Sequence, residues 1–203
     1  MISAMTLRLT AHMLLSLLAS GALWSGGYLI DRASAQTPPS PRPSPAAPST
    51  SAAWAPFEST TGGFRVEMPG KPTEQVQQLD TVGGAISNYI YSTTTNNGTV
   101  KYTVSYLDLP QMAQLAPASL ILESIMGGIA EDAQSQVMEE RAVSLAEHSG
   151  REIKITNAQQ AIVVHRAFLV KQRVYQIAVE VPAAQEKTFA AESDRFLKSF
   201  KLL

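Results

Sequence analysis

From Phe64 onward the chain alternates apolar and polar positions in short runs broken by turn residues, a period of two that predicts β-strands. Phe64 to Met68 is one such run, Pro69-Gly70-Lys71-Pro72 is a turn, and the polar run Thr73 to Leu79 reads as an edge strand. Ala85 to Thr93 and Thr99 to Leu107 flank Asn96-Asn97-Gly98, residues that tolerate positive φ and so predict a hairpin with a tight turn. Val137 to Leu145, Arg151 to Thr156, Ala161 to Val170 and Val174 to Val181 continue the pattern, with breaks at His148-Ser149-Gly150, Asn157 to Gln160 and Lys171-Gln172.

Two segments switch to a helical period. After Pro117, which suits a first helical turn, Ala118, Leu122, Ile125, Met126, Ile129, Ala130 and Ala133 share one face. Gly127-Gly128 within this helix costs about 1 kcal/mol per glycine relative to alanine, which predicts either a kink or, as the favoured reading, close packing against the helix backbone. After Pro182, Phe189, Phe196, Leu197 and Phe200 form the apolar stripe of a C-terminal amphipathic helix.

Pairing the last hairpin about Lys171-Gln172 sets Phe168 opposite Tyr175, Arg166 opposite Ile177 and Val164 opposite Val179. Ala161, Val163, Ala167, Leu169 and Ala178 fall on the other side, so both faces of the hairpin need cover. The fold class is therefore α+β: a mainly antiparallel sheet packed between helices. This register places Arg166 among apolar neighbours, so it should be paired, tie its strand to a loop or helix, and cost on the order of 3 kcal/mol on truncation. Arg173, at the turn, should cost almost nothing.

Residues ahead of the periodic region are different in kind. Arg8 and His12 precede the apolar stretch Met13 to Ile30, and Ala33-Ser34-Ala35 supplies small residues where a signal peptidase needs them. Residues 1–35 thus read as an export signal cleaved before Gln36; the alternative is an uncleaved anchor through residues 13–30. Residues 36–53 contain six of the twelve prolines with Ser and Ala, a linker of roughly 55 Å at about 3.1 Å per residue. Residues 54–203 remain for one globular domain in an extracytoplasmic compartment, whether periplasm, thylakoid lumen or secreted, and membrane-bound if the signal stays.

Three stretches carry a family resemblance. They are Phe57 with Gly63-Phe64-Arg65-Val66-Glu67-Met68-Pro69-Gly70-Lys71-Pro72, then Arg166 with Val174-Tyr175-Gln176, and Phe196-Leu197-Lys198-Ser199-Phe200-Lys201-Leu202. Their order resembles the PsbP-like α/β/α sandwich superfamily, whose members include the photosystem II extrinsic protein, a Ran-binding import factor with the same fold and many exported bacterial proteins. The resemblance covers residues 54–203 and implies a non-catalytic accessory domain that docks on a protein partner. It transfers no catalytic, cofactor-binding or metal-binding residue.

Composition narrows the chemistry. The chain has no cysteine, which excludes thiol enzymes, iron–sulfur sites, disulfides and a lipid-anchored N-terminus, and a formal charge of −1 offers no general attraction to nucleic acid. His148 beside Glu147 and His165 in a strand have no ligand spacing, so no metal or other cofactor is expected. An oxygen-ligand calcium site from Glu131, Asp132, Glu139 and Glu140 lacks the EF-hand spacing. Neither Gly-x-Ser-x-Gly nor a phosphate-binding glycine loop occurs, and Asn97-Gly98-Thr99 is formally a glycosylation sequon that the turn explains without sugar. Tyr89, Tyr91, Tyr102 and Tyr106 lack interleaved basic residues and read as sheet packing. Two other functions stay open: a carrier of a small apolar ligand between the sheet and the Gly127-Gly128 helix, and an enzyme with a carboxylate site around Glu139 and Glu140.

Overall fold

A computed structural model describes residues 53–81, 84–111, 113–132 and 135–203. The segment read as an export signal or anchor at 1–35, and all but the last residue of the one read as a linker at 36–53, lie outside the described residues. The elements run β1 (Trp54–Ser59), β2 (Phe64–Pro69), β3 (Thr73–Thr81), β4 (Gly84–Thr95), β5 (Val100–Asp108), α1 (Ala118–Asp132), β6 (Gln136–Leu145), β7 (His148–Thr156), β8 (Ala161–Val170), β9 (Arg173–Pro182), α2 (Glu186–Ser199) and β10 (Lys201–Leu202). Among the described residues no helix is long and apolar enough to cross a membrane.

Seven strands form one sheet in the order β3-β4-β5-β9-β8-β7-β6, and every neighbouring pair is antiparallel. The β4–β5 hairpin closes at Asn96, Asn97 and Gly98, all at positive φ (51°, 55° and 86°), the conformation those residue types accept most readily. The β8–β9 register matches the alternation: Phe168 faces Tyr175, Arg166 faces Ile177 and Val164 faces Val179. β3 is an edge strand, as its polarity predicts.

Both faces of the sheet are apolar. On one, α1 lays Ile121, Leu122, Ile125, Met126 and Ile129 against Ile153, Ile155, Ala167, Val174 and Leu107. The other carries Tyr102, Val104, Tyr106, Phe168, Ile177 and Val179, covered by Phe64, Val66 and Met68 of β2 and by Phe196, Leu197 and Phe200 in and just after α2. Phe64 is fully buried, stacks on Phe200 at 5.4 Å between ring centres and meets Tyr91, Tyr106 and Tyr175 edge-on. One cover is thus a helix, and the other is a helix together with a three-stranded sheet in the order β1-β2-β10. That second sheet is where the architecture departs from a sheet packed between helices alone.

Several local expectations are corrected. His148-Ser149-Gly150 opens β7 instead of breaking the chain; the turn falls at Ala146-Glu147, with Ala146 at φ 51°. Gly150 is required there because a β-carbon would come 2.3 Å from Phe168 Cδ1. Close packing does not explain Gly127, which is exposed and would have nothing within 4 Å of an added β-carbon.

Arg173 is the largest correction. Its guanidinium forks onto Asp108 at 2.7 and 2.8 Å, donates to the carbonyls of Thr61 and Gly62 at 3.0 and 3.1 Å, and lies 4.7 Å over the Tyr106 ring. Tyr175 OH donates to the same Gly62 carbonyl at 2.7 Å. The β1–β2 loop is thereby pinned to the large sheet. Under α1, His165 is buried and its Nε2 donates to Gln176 Oε1 across 3.0 Å; burial pulls its pKa from 6.5 to about 4.

Two outcomes follow from these contacts. Arg173→Ala should cost about 1 kcal/mol in denaturant titration, since the truncation removes the partner of Asp108 and of the Thr61 carbonyl while Tyr175 still holds the Gly62 carbonyl; a loss below half of that would show the pin to be idle. His165 binds its proton more readily unfolded than folded, so stability should be full above pH 6.5 and fall by about 3 kcal/mol as the pH drops toward 4. His165→Gln should flatten that slope in the same titration, and an unchanged slope would assign it to other groups.

Candidate functional site

A half-open cleft of about 230 Å³ lies between α2 and the β6–β9 half of the sheet. Its floor is apolar, from Ile162, Val164, Val179, Val181 and Leu197. Its walls are charged because β6, β7 and β8 place ionisable residues in register: Arg141 faces Glu152, which faces Arg166, and one row along Glu139 faces Lys154, which faces Val164.

Glu152 is the centre of the first row. Its side chain is 8% exposed, Oε1 accepts from Arg141 Nε and Nη2 at 2.7 and 2.6 Å, and Oε2 accepts from Arg166 Nε at 2.5 Å. Arg166 also donates Nη1 to the Leu197 carbonyl at 3.0 Å, so a strand and α2 are joined through one guanidinium, as the buried arginine predicts. In the second row Lys154 reaches Glu186, the first residue of α2, at 2.5 Å. A carboxylate engaged on both oxygens by two guanidiniums is held in one orientation, an arrangement that presents groups in fixed register for recognition.

The sequence-derived candidates are not brought together. Glu139 and Glu140 are neighbours on a strand and point to opposite sides of the sheet. Glu139 lines the cleft, 3.9 Å from Arg141, whereas Glu140 lies 3.0 Å from Arg151 on the other side, so the strand does not bring the two carboxylates together. Glu131 lies near the end of α1, and among the described residues no three His, Asp or Glu side chains converge on a common point. His148 is 3.9 Å from Glu147 in the β6–β7 turn, while His165 is on the face opposite the cleft. Asn97 is exposed at its hairpin tip. Glu152 escapes a reading by sequence because Arg151-Glu152-Ile153-Lys154 alternates like any half-exposed strand; only the pairing of three strands closes the network.

Burial separates the two arginines. Arg166 is 15% exposed and Arg141 is 55% exposed, so Arg166→Ala should cost on the order of 3 kcal/mol and Arg141→Ala less than about 1 kcal/mol. Denaturant titration of the two variants decides it, and equal losses would show that the buried half of the network does not carry the tie to α2.

No protein-family model and no curated protein sequence matches the chain. Solved structures do. The solution structure of cyanobacterial PsbP (CyanoP) from Synechocystis sp. PCC 6803 superposes with a TM-score of 0.53 at 10% identity, over 79% of this chain and 98% of that one. LpqN, involved in cell envelope biogenesis of Mycobacterium tuberculosis, aligns with a TM-score of 0.41 at 10% identity, over 73% and 78%. At this identity the likeness to CyanoP is one of fold, and the fold of the described domain is PsbP-like.

Proposed function

We propose that this chain is an exported, non-catalytic accessory protein whose PsbP-like domain docks on a protein partner through the cleft beside α2. The observation that carries the reading is the cleft itself. At about 230 Å³ and open to solvent it falls below the roughly 300–1,000 Å³ of pockets that enclose small ligands, and so favours one or two side chains of a partner over a carried molecule. Its charges support the same reading, because an apolar floor rimmed by oriented ion pairs gives shape and register to a protein contact. The fold adds support, since the resemblance to PsbP implies accessory work on a larger assembly. The proline-rich segment at 36–53 would give the domain reach from a membrane or a neighbouring chain.

The test is cross-linking of the exported protein in its native envelope, comparing the unaltered chain with Ala190→Trp. Ala190 is exposed on α2 and lines the cleft, so the indole should fill it without disturbing the core. A defined cross-linked species that the substitution abolishes supports docking at this site. A species insensitive to it, or a stoichiometric small-molecule adduct in native mass spectrometry, overturns the reading.

A further inference from the structure

The two edges of the large sheet differ in charge. β3 carries Glu74 and Asp80 and no cation, so two copies placed edge to edge there would repel. β6 carries both signs in Glu139, Glu140 and Arg141, and within the large sheet only β7 pairs with it. Every residue from Gln136 to Ala142 is exposed, and Val137 and Met138 keep 47% and 52% of their surface in contact with solvent. Such an edge presents unpaired backbone groups and apolar side chains together, a template for another strand.

We propose that β6 pairs antiparallel with β6 of a second copy of this chain, about a twofold axis at Glu140. Opposed residues then share a face: Glu139 meets Arg141 of the second copy and Arg141 meets Glu139. Each face of the junction is neutral. On the cleft side two carboxylates alternate with two guanidiniums, which already stand 3.9 Å apart within one chain. On the other side the two Glu140 carboxylates at the axis are each accompanied by Arg151, 3.0 Å away. Centred one residue later, the pairing would set Glu139 against Val143 and Glu140 against Ala142, and both Glu139–Arg141 pairs would be lost. The β-bulge at Met138 limits regular pairing to the residues around Glu139–Arg141, so the dimer is weak and dissociates in the micromolar range or above.

Because the chain has no cysteine, introduced thiols report this register without background. Mild oxidation of the purified exported chain carrying Glu140→Cys should give a covalent dimer, while Gln75→Cys, exposed on β3, should stay monomeric. In sedimentation velocity the unaltered chain should show a concentration-dependent monomer–dimer equilibrium. Glu139→Arg, which sets arginine against arginine twice, should weaken it by about tenfold while the circular dichroism of the folded monomer is retained. A sedimentation coefficient independent of concentration, or cross-linking of Gln75→Cys as fast as that of Glu140→Cys, overturns the proposal.

Discussion

The seven-stranded sheet carries apolar side chains on both faces, so neither face can be left to water, and the other elements are arranged to cover them. α1 closes one side with Leu122 and Met126, both about 2% exposed. The other side is too broad for one helix, and β1, β2 and β10 share it with α2 around Phe64 and Phe196, both fully buried. Burying a side chain of this size contributes roughly 1.5–3 kcal/mol, so either cover is worth more than the net stability of an ordinary domain. Loss of either would expose a face that the strands cannot satisfy alone.

Polar contacts fix where the covers sit. Arg173 and Tyr175 converge on the Gly62 carbonyl and set the position of the β1–β2 loop. Arg166 and Lys154 hold the two ends of α2, one at the Leu197 carbonyl and one at Glu186. Apolar packing is indifferent to a shift of an ångström or two, whereas a forked guanidinium is not. The cleft beside α2 keeps its shape because ion pairs bound it at both ends while its apolar floor stays free.

The hairpins were legible because their information is local. Asn96-Asn97-Gly98 and Lys171-Gln172 mark turns, and alternation on each side then sets the register by parity alone. β1 is not legible, since Trp54-Ala55-Pro56-Phe57 holds a proline and no clear alternation, and it forms a strand only because β2 pairs with it. β10 is two residues long and depends on the same neighbour. Long-range partners account for the missed site: Arg173 finds Asp108 and Gly62 at separations of 65 and 111 residues, and Glu152 needs strands on both sides. Arg166 could be foreseen because a charge among apolar neighbours must be satisfied, whichever residue answers it.

If the two covers and the sheet are one cooperative unit, native-state hydrogen exchange tests it most directly. Amides of α1 and of β2 should share the opening free energy of the central strands β5 and β9, since exposing either face destabilises the whole sheet. Exchange of α1 or of β2 at a much lower free energy, with β5 and β9 still protected, would contradict the account by showing that a face of the sheet can stand uncovered.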